Sequence, residues 1–414
     1  MMSDYISILD NLPPDQRWAQ AKKWIVDAPH DFFRQLRRQR PVYKFPELTM
    51  VTLFNDCREV MLRHDLYSVG LYAPKQGSYF MAQDDTAQHW REKSIMRTVL
   101  NFEEIPGIRN FVETRCKDIL KRANGQIDAV NALTRAVPIA LVQDWFGFVD
   151  SDPGDLCAWS YWSQMDAFWN QSFDDNPRSA QIIANHASST EALAKYVVSL
   201  VQKRSAELKS GAQINDTVSR LIKLAASGGF EHFPAERLVI NIGGLLIGAV
   251  ETTSHAVCNA IRFLSTKPEL LDQARKAARD EDLTLFDGYI FEALRFAPAF
   301  PYFFRLVTQP VVIGLGEHHE TPLEKGDVVL VVSASGMFDE AAYHNPEAFD
   351  PRRSLSNNFV FGLGLHECLG RAIGAVMIPE IARQALLLDD LELLEIDYRD
   401  GPVPEKWQWR WRAC

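Results

Sequence analysis

The residue in this chain best placed to do chemistry is a cysteine set among glycines. In the stretch Phe361-Gly-Leu-Gly-Leu-His-Glu-Cys-Leu-Gly370, Cys368 is bracketed by Gly362, Gly364 and Gly370, so the backbone can turn tightly and approach a flat ligand closely. A helical pattern follows from Arg371 to Leu388. A helix entered at about Leu369 would aim its first N–H groups at the sulfur, stabilising a thiolate and lowering its pKa. Both features suit a metal-bound sulfur, although a lone cysteine is more often a buried structural residue.

Two further spacings carry chemistry. Glu292-Ala-Leu-Arg295 puts a carboxylate and a guanidinium on one helix face, where such pairs are usually solvated and contribute less than ~1 kcal/mol. Gly248-Ala-Val-Glu-Thr-Thr253 places an acid beside two alcohols inside a long apolar run. Glycine inside a helix costs roughly 0.5–1 kcal/mol against alanine, so Gly243, Gly244 and Gly248 need a reason: close packing, a bend, or an open groove. Thr252 could equally be bonding back to a carbonyl one turn earlier.

Taken together, the motifs resemble the cytochrome P450 family. Phe361, Gly364, His366, Cys368 and Gly370 fill every fixed position of its F-x-x-G-x-H-x-C-x-G signature. The resemblance implies a heme b cofactor with Cys368 as the iron ligand, His366 on a heme propionate and Phe361 packed beside the sulfur. It makes Glu292 and Arg295 a structural pair, with Arg352 of Phe349-Asp-Pro-Arg352 as the expected third partner. Against the pattern A/G-G-x-D/E-T-T/S, Glu251, Thr252 and Thr253 match, and Gly248 and Ala249 hold the small positions in reversed order. An acid beside an alcohol is what proton delivery to reduced dioxygen needs, which assigns catalytic roles to Thr252 and Glu251 and favours electron-fed O₂ chemistry over a peroxygenase.

The same resemblance places His89, Lys93 and Arg305 near the propionates. Lys93 stands where the family has arginine, so a bidentate fork is lost and Arg91 or Arg97 would have to compensate. Before the meander the chain reads Met337-Phe-Asp339 where many relatives have N-R-D. Leu245, Val250, the run Trp159 to Trp169, Phe300, Tyr302, Phe303 and Phe304 are candidates for an apolar substrate wall, with core packing equally open for the aromatic ones. Electrons would come from a separate ferredoxin or flavodoxin with its reductase, docked on a basic patch of Arg97, Arg109, Arg115, Lys117, Arg122 and Arg371. Other chemistries remain open: peroxygenase, isomerase, oxidative coupling, or a non-catalytic heme-binding sensor.

These groups need elements to hold them. Helical periodicity runs from about Ala19 to Leu285, with strand-like runs at Thr49 to Phe54, Leu306 to Ile313 and Val328 to Val332. The expected fold is mainly α with a small β subdomain, one domain over residues 1–414. One very long helix is predicted from Pro234 to Ser265, and loops at Leu208 to Asp216 and at Gly228-Gly229. In the implied family fold the heme lies between that long central helix and the helix after the cysteine loop.

With 54 Asp+Glu against 44 Lys+Arg the formal charge is −10, which disfavours a nucleic-acid partner. The six cysteines lie far apart, giving no zinc or disulfide framework, and the start MMSDYISILDNLPPDQ lacks the pattern of a signal peptide or membrane anchor. A cytoplasmic monomer is the expectation.

Overall fold

Apolar residues recurring every three to four positions build most of the chain into helices, and the computed structural model describes residues 4–84, 86–228, 233–399 and 401–413. Eight helices position the candidate site: α1 (Ala87–Leu100), α2 (Ile105–Ala123), α3 (Pro153–Trp169), α4 (Ser179–Lys209), α5 (Ala235–Ala249), α6 (Glu251–Ser265), α7 (Thr284–Phe296) and α8 (Arg371–Leu386). The largest apolar core lies among them and includes Ile242, Leu246, Val250 and Val257 from α5, α6 and the residue between. No helix of the described residues is long and apolar enough to cross a membrane.

The strands form three small sheets. β1 (Val42–Lys44), β2 (Thr49–Val51), β8 (Val328–Val331), β5 (Phe303–Val307) and β3 (Tyr67–Ser68) pair in that order. Among the described residues only β2 and β8 run parallel. β4 (Gln126–Asp128), β10 (Lys406–Arg410) and β9 (Glu392–Asp397) make the second sheet, and β6 (Val311–Ile313) pairs with β7 (Thr321–Leu323). The expected mainly α architecture with minor β content is what the chain adopts.

Details differ from the sequence reading. The Thr49 run stops at Val51, because Phe54 opens a helix whose first N–H is taken by Asp339 Oδ2 at 2.9 Å. The Leu306 to Ile313 run divides between β5 and β6, with Pro310, which has no N–H to donate, at the divide. Gly228 closes α-helical residues 217–226 in the left-handed region, φ +70°, whereas Gly229 lies outside the described residues.

The predicted single helix from Pro234 to Ser265 is two helices, parted at Val250 (φ −89°, ψ −69°). A break in a helix takes N–H donors away from carbonyls of the turn before it, and side chains must replace them. Thr252 Oγ1 donates to the Gly248 carbonyl at 2.7 Å, and Gln164 Nε2 of α3 donates to the Ile247 carbonyl at 2.7 Å.

The carboxylate of Glu292 is buried on α7 and accepts from Arg295 Nε (2.9 Å) and Nη2 (2.7 Å). The expected third partner is corrected: Arg353, not Arg352, reaches Glu292 Oε1, at 3.3 Å. Arg352 is exposed, and its backbone N–H bonds to Asp350. One residue of shift around Pro351 turns the second arginine inward, where it also donates to the His344 carbonyl at 3.0 Å. We expect Arg353→Ala to lower unfolding free energy by about 1.5–3 kcal/mol, as for a hydrogen bond to a buried charge, and Arg352→Ala by less than about 0.5 kcal/mol. Denaturant titration of the two variants measures the difference.

Candidate active site

The cysteine loop is built by close approach. Gly362 (φ +69°) and Gly364 (φ +73°) take backbone angles that favour glycine, and a Cβ on Gly364 would stand 2.9 Å from Leu62 Cδ2. The Cys368 N–H donates to the Phe361 carbonyl at 2.9 Å, closing the loop, and the Phe361 ring packs against Gly374 of α8, where a Cβ would lie 3.0 Å away.

Cys368 is exposed, but toward an interior cavity of about 300 Å³ rather than the outer surface. Helix α8 begins at Arg371, two residues later than expected, with Gly370 as its N-cap. Burial pushes the Cys368 thiol pKa up, more than the Gly370 N–H and the Lys93 and Arg371 charges lower it. The helix end lowers the thiol pKa through the Gly370 N–H but does not outweigh burial, and a directly bound cation would favour the thiolate.

Residues of α5 and α6 line the same cavity as the sulfur: Gly244, Leu245, Gly248, Ala249 and Thr252. The glycines divide by cause. A Cβ on Gly244 would run into the Tyr79 ring at 2.2 Å, whereas one on Gly248 would meet nothing within 4 Å, so Gly248 keeps the groove open. The Thr252 hydroxyl faces the cavity wall and makes the one-turn back-bond that the sequence left as an alternative.

Leu245, Phe168, Ala299, Phe300 and Phe303 supply an apolar wall. Three expected wall residues turn elsewhere. Phe304 stacks on Tyr72 with ring centroids 4.5 Å apart, Tyr302 packs against the cluster around Trp18, and Val250 is fully buried in the helical core. Of the run from Trp159 to Trp169, Gln164 and Phe168 reach the cavity, while Trp159 packs on Tyr196.

The expected propionate donors also divide. His366 and Arg305 line the cavity. Neither ring nitrogen of His366 has a hydrogen-bond partner among the described residues, and burial followed by the Arg305 charge pushes its pKa down to about 2. Arg305 is buried, gives one bond to the Phe304 carbonyl at 2.9 Å and reaches the Tyr72 hydroxyl. His89 is fully buried, with Nδ1 2.7 Å from the Phe80 carbonyl and its ring 5.0 Å from that of His366.

Lys93 differs most from expectation. Its ammonium donates to the backbone carbonyls of Leu365 and Glu367, the latter at 3.0 Å, and burial lowers its pKa to about 8. Neither His89 nor Lys93 lines the cavity. Lysine presents a compact point charge, which two carbonyls of the cysteine loop satisfy. Of the proposed substitutes, Arg97 pairs with Glu367 at 3.9 Å. The donor set nonetheless fits a heme: a sulfur at the cavity wall, and an imidazole with two unmatched nitrogens beside a buried guanidinium where carboxylates would lie.

Glu251 is buried on the far side of the break and does not line the main cavity. Its Oε2 accepts from Arg135 Nε at 3.1 Å and Nη2 at 2.9 Å, and Arg135 also faces Glu405 at 3.4 Å. Burial raises the Glu251 carboxyl pKa against the pull of Arg135. Together with Thr252, Gln164 and His255, Glu251 lines a small neighbouring cavity of about 10 Å³, near the lower limit for one water molecule. Arg135 lies 116 residues away in sequence and carries no motif, so nothing in the chain announced it.

The expected basic patch is largely neutralised. Arg97 and Arg371 both pair with Glu367, Arg109 with Asp287, Arg115 with Asp144 and Lys117 with Glu113. Arg122 bonds to the Asp118 carbonyl. Acids three or four residues away, or on the facing helix, sit within reach of these cations.

Comparison with known proteins matches the chain over residues 27–387 to the family model described as Cytochrome P450. Cytochrome P450 monooxygenase PikC of Streptomyces venezuelae is 26% identical over 312 residues, covering 74% of this chain and 68% of that protein. Steroid C26-monooxygenase of Mycolicibacterium smegmatis is 23% identical, covering 90% and 87%. The solved structure of CYP109E1 from Bacillus megaterium in complex with testosterone superposes with a TM-score of 0.78 at 16% identity, covering 97% of this chain and 100% of that one.

Removing one member of a buried ion pair strands the other. Arg135→Met should therefore cost about 3–5 kcal/mol of stability, and adding Glu251→Leu should restore most of it. Unfolding of the single and double variants tests whether the pair is as isolated from solvent as the geometry indicates.

Proposed function

The chain belongs to the cytochrome P450 family, and from that premise we propose that it inserts one oxygen atom of O₂ into an apolar small molecule held beside Cys368, using electrons from a separate ferredoxin or flavodoxin and its reductase. Members of the family are heme-thiolate monooxygenases, oxidoreductases that carry heme iron. The observation that carries the finer reading is the cavity itself, lined both by Cys368 and by Thr252 next to a helix break. Bound heme supplies thiolate-ligated iron at which O₂ is reduced and activated.

The chain's own residues then have separable tasks. Cys368 holds the iron through sulfur, and Phe361 packs beside the loop that presents it. His366 and Arg305 hold carboxylates of the heme from the cavity wall. His89, packed edge-to-face against His366, fixes that ring, while Lys93 ties down the loop carbonyls on either side of it. Gly248 and Ala249 leave room above the sulfur for O₂. Thr252 would hold a proton at Oγ1 for delivery into the cavity, exchanging its bond to the Gly248 carbonyl for one into that space. Glu251 replenishes that proton through the small cavity it shares with Thr252, and Arg135 keeps the carboxylate from swinging into the substrate space.

Leu245, Phe168, Phe300 and Phe303 favour an apolar, terpenoid-like or polycyclic substrate by excluding water from the space above the sulfur. The steroid oxidation named for one relative, and the testosterone bound in another structure, are in keeping with that class. The scattered cysteines and acidic balance suit a reduced, cytoplasmic compartment, and a cavity walled by helices from both halves of the chain suits one domain spanning residues 1–414.

The test is spectroscopic first. Reduced, undenatured holoprotein under carbon monoxide should show the red-shifted Soret band of thiolate coordination, and a substrate screen by low-to-high-spin shift should precede turnover with a reductase system. A normal Soret position would overturn the iron-ligand assignment. Hydrogen peroxide supporting turnover as well as the reductase system does would overturn the electron-fed reading.

Thr252→Ala should retain heme and substrate binding while product per reductant consumed falls by roughly 10-fold or more, as expected when a positioned proton donor is lost. Peroxide release, measured beside product, should rise to match.

A further inference from the structure

Gln164 stands outside every motif that marks the family, yet it joins the wall of the substrate cavity to the break in the long buried helix. It is buried on α3, lines both the main cavity and the small cavity beside Glu251 and Thr252, and gives its amide to the Ile247 carbonyl. That carbonyl belongs to the turn just before Val250, where the helical repeat lapses. A carbonyl only accepts hydrogen bonds, so the amide NH₂ of Gln164 must face it and the amide oxygen must face away. The two freed carbonyls in succession are thus held by two side chains, Ile247 by Gln164 from another helix and Gly248 by Thr252 from the next turn.

We propose that Gln164 is a positioning residue for the oxygen chemistry: by holding the Ile247 carbonyl out of the helical repeat it keeps the break open, and so sets where Thr252 and Glu251 stand. The proposal rests on the proton-delivery role given to Thr252. Its chemistry is reciprocal. With Gln164 in place, the Ile247 carbonyl has no need of a helical donor, and the turn stays wide enough for Gly248 to face the cavity. With the donor gone, a buried carbonyl is left unmatched, and the turn recovers a partner only by tightening, which moves the Thr252 hydroxyl relative to the sulfur across the cavity. Because Gln164 is also a wall residue, a substrate that shifts α3 shifts the same hydrogen bond.

The test uses holoenzyme carrying Gln164→Met, which keeps length and bulk without a donor, with Gln164→Leu as the second variant should the first fold poorly. Amide exchange at residues 247–254 of the ferric enzyme should quicken by roughly 3–10-fold, the scale of one lost hydrogen bond, with exchange in α7 and α8 unchanged. At saturating substrate, product per reductant should fall by a similar factor, beyond any change in affinity read from the spin-state titration. In a Thr252→Ala background, Gln164→Met should cause little further loss, since both act on one step.

Unchanged exchange at the break, or an effect confined to substrate affinity, would overturn the proposal and leave Gln164 as a wall residue. Full additivity with Thr252→Ala would overturn it as well. Should Thr252→Ala prove fully coupled, the proton-delivery reading falls by that result, and the exchange measurement still decides for or against Gln164 as the prop of the break.

Discussion

A buried helix that must open where it passes the cavity is the constraint on which this structure turns. The segment from Ala235 to Ser265 is surrounded by core on most sides, so every backbone group it releases has to find a partner inside the protein. Gly248 opens the groove because no side chain fills it, and the break at Val250 follows. The replacement donors, Thr252 from within and Gln164 from across, are then required by elementary hydrogen-bond accounting. The same break swings Glu251 away from the cavity to meet Arg135, so the shape of one turn decides which polar groups see the reacting space.

Buried charge is managed in the same way elsewhere. Glu92 on α1 is fully buried and is met by Arg237 Nε at 2.6 Å and Asn241 Nδ2 at 2.8 Å, both from α5, which pins the helix carrying His89 and Lys93 to the long helix. Glu292 is met by Arg295 and Arg353, which fixes α7 to the strand of chain leading into the cysteine loop. Each such pair contributes little net stability after desolvation, but losing one partner is costly, so the pairs specify how the elements dock more than how tightly. At the cavity the pattern differs, with both His366 nitrogens unmatched among the described residues and the Cys368 sulfur uncovered.

Much of the site was legible before any coordinates. The glycine spacing around Cys368 required tight backbone angles, and Gly362 and Gly364 adopt them. The spacing of Glu292 and Arg295 put both on one face of α7, and Gly248 with Thr252 marked the groove. Legibility failed where contact depends on a rotation or a distant segment. Arg352 and Arg353 are adjacent, and only the path of the chain around Pro351 chooses between them. Lys93 was expected at a carboxylate and instead holds two loop carbonyls, because a compact ammonium charge on a flexible stem is satisfied by what lies nearest.

Local requirements could be read from the chain alone: where the backbone must turn, which faces are apolar, and which residue types flank Cys368 and Thr252. These follow from bonds and sterics within a few residues. Tertiary structure alone decided the partners of buried polar groups, Arg135 for Glu251, Arg353 for Glu292 and Gln164 for the Ile247 carbonyl. A donor and an acceptor far apart in sequence leave no periodic trace in either segment; they are chosen by the packing that removes water from both, and that exists only once the helices have docked.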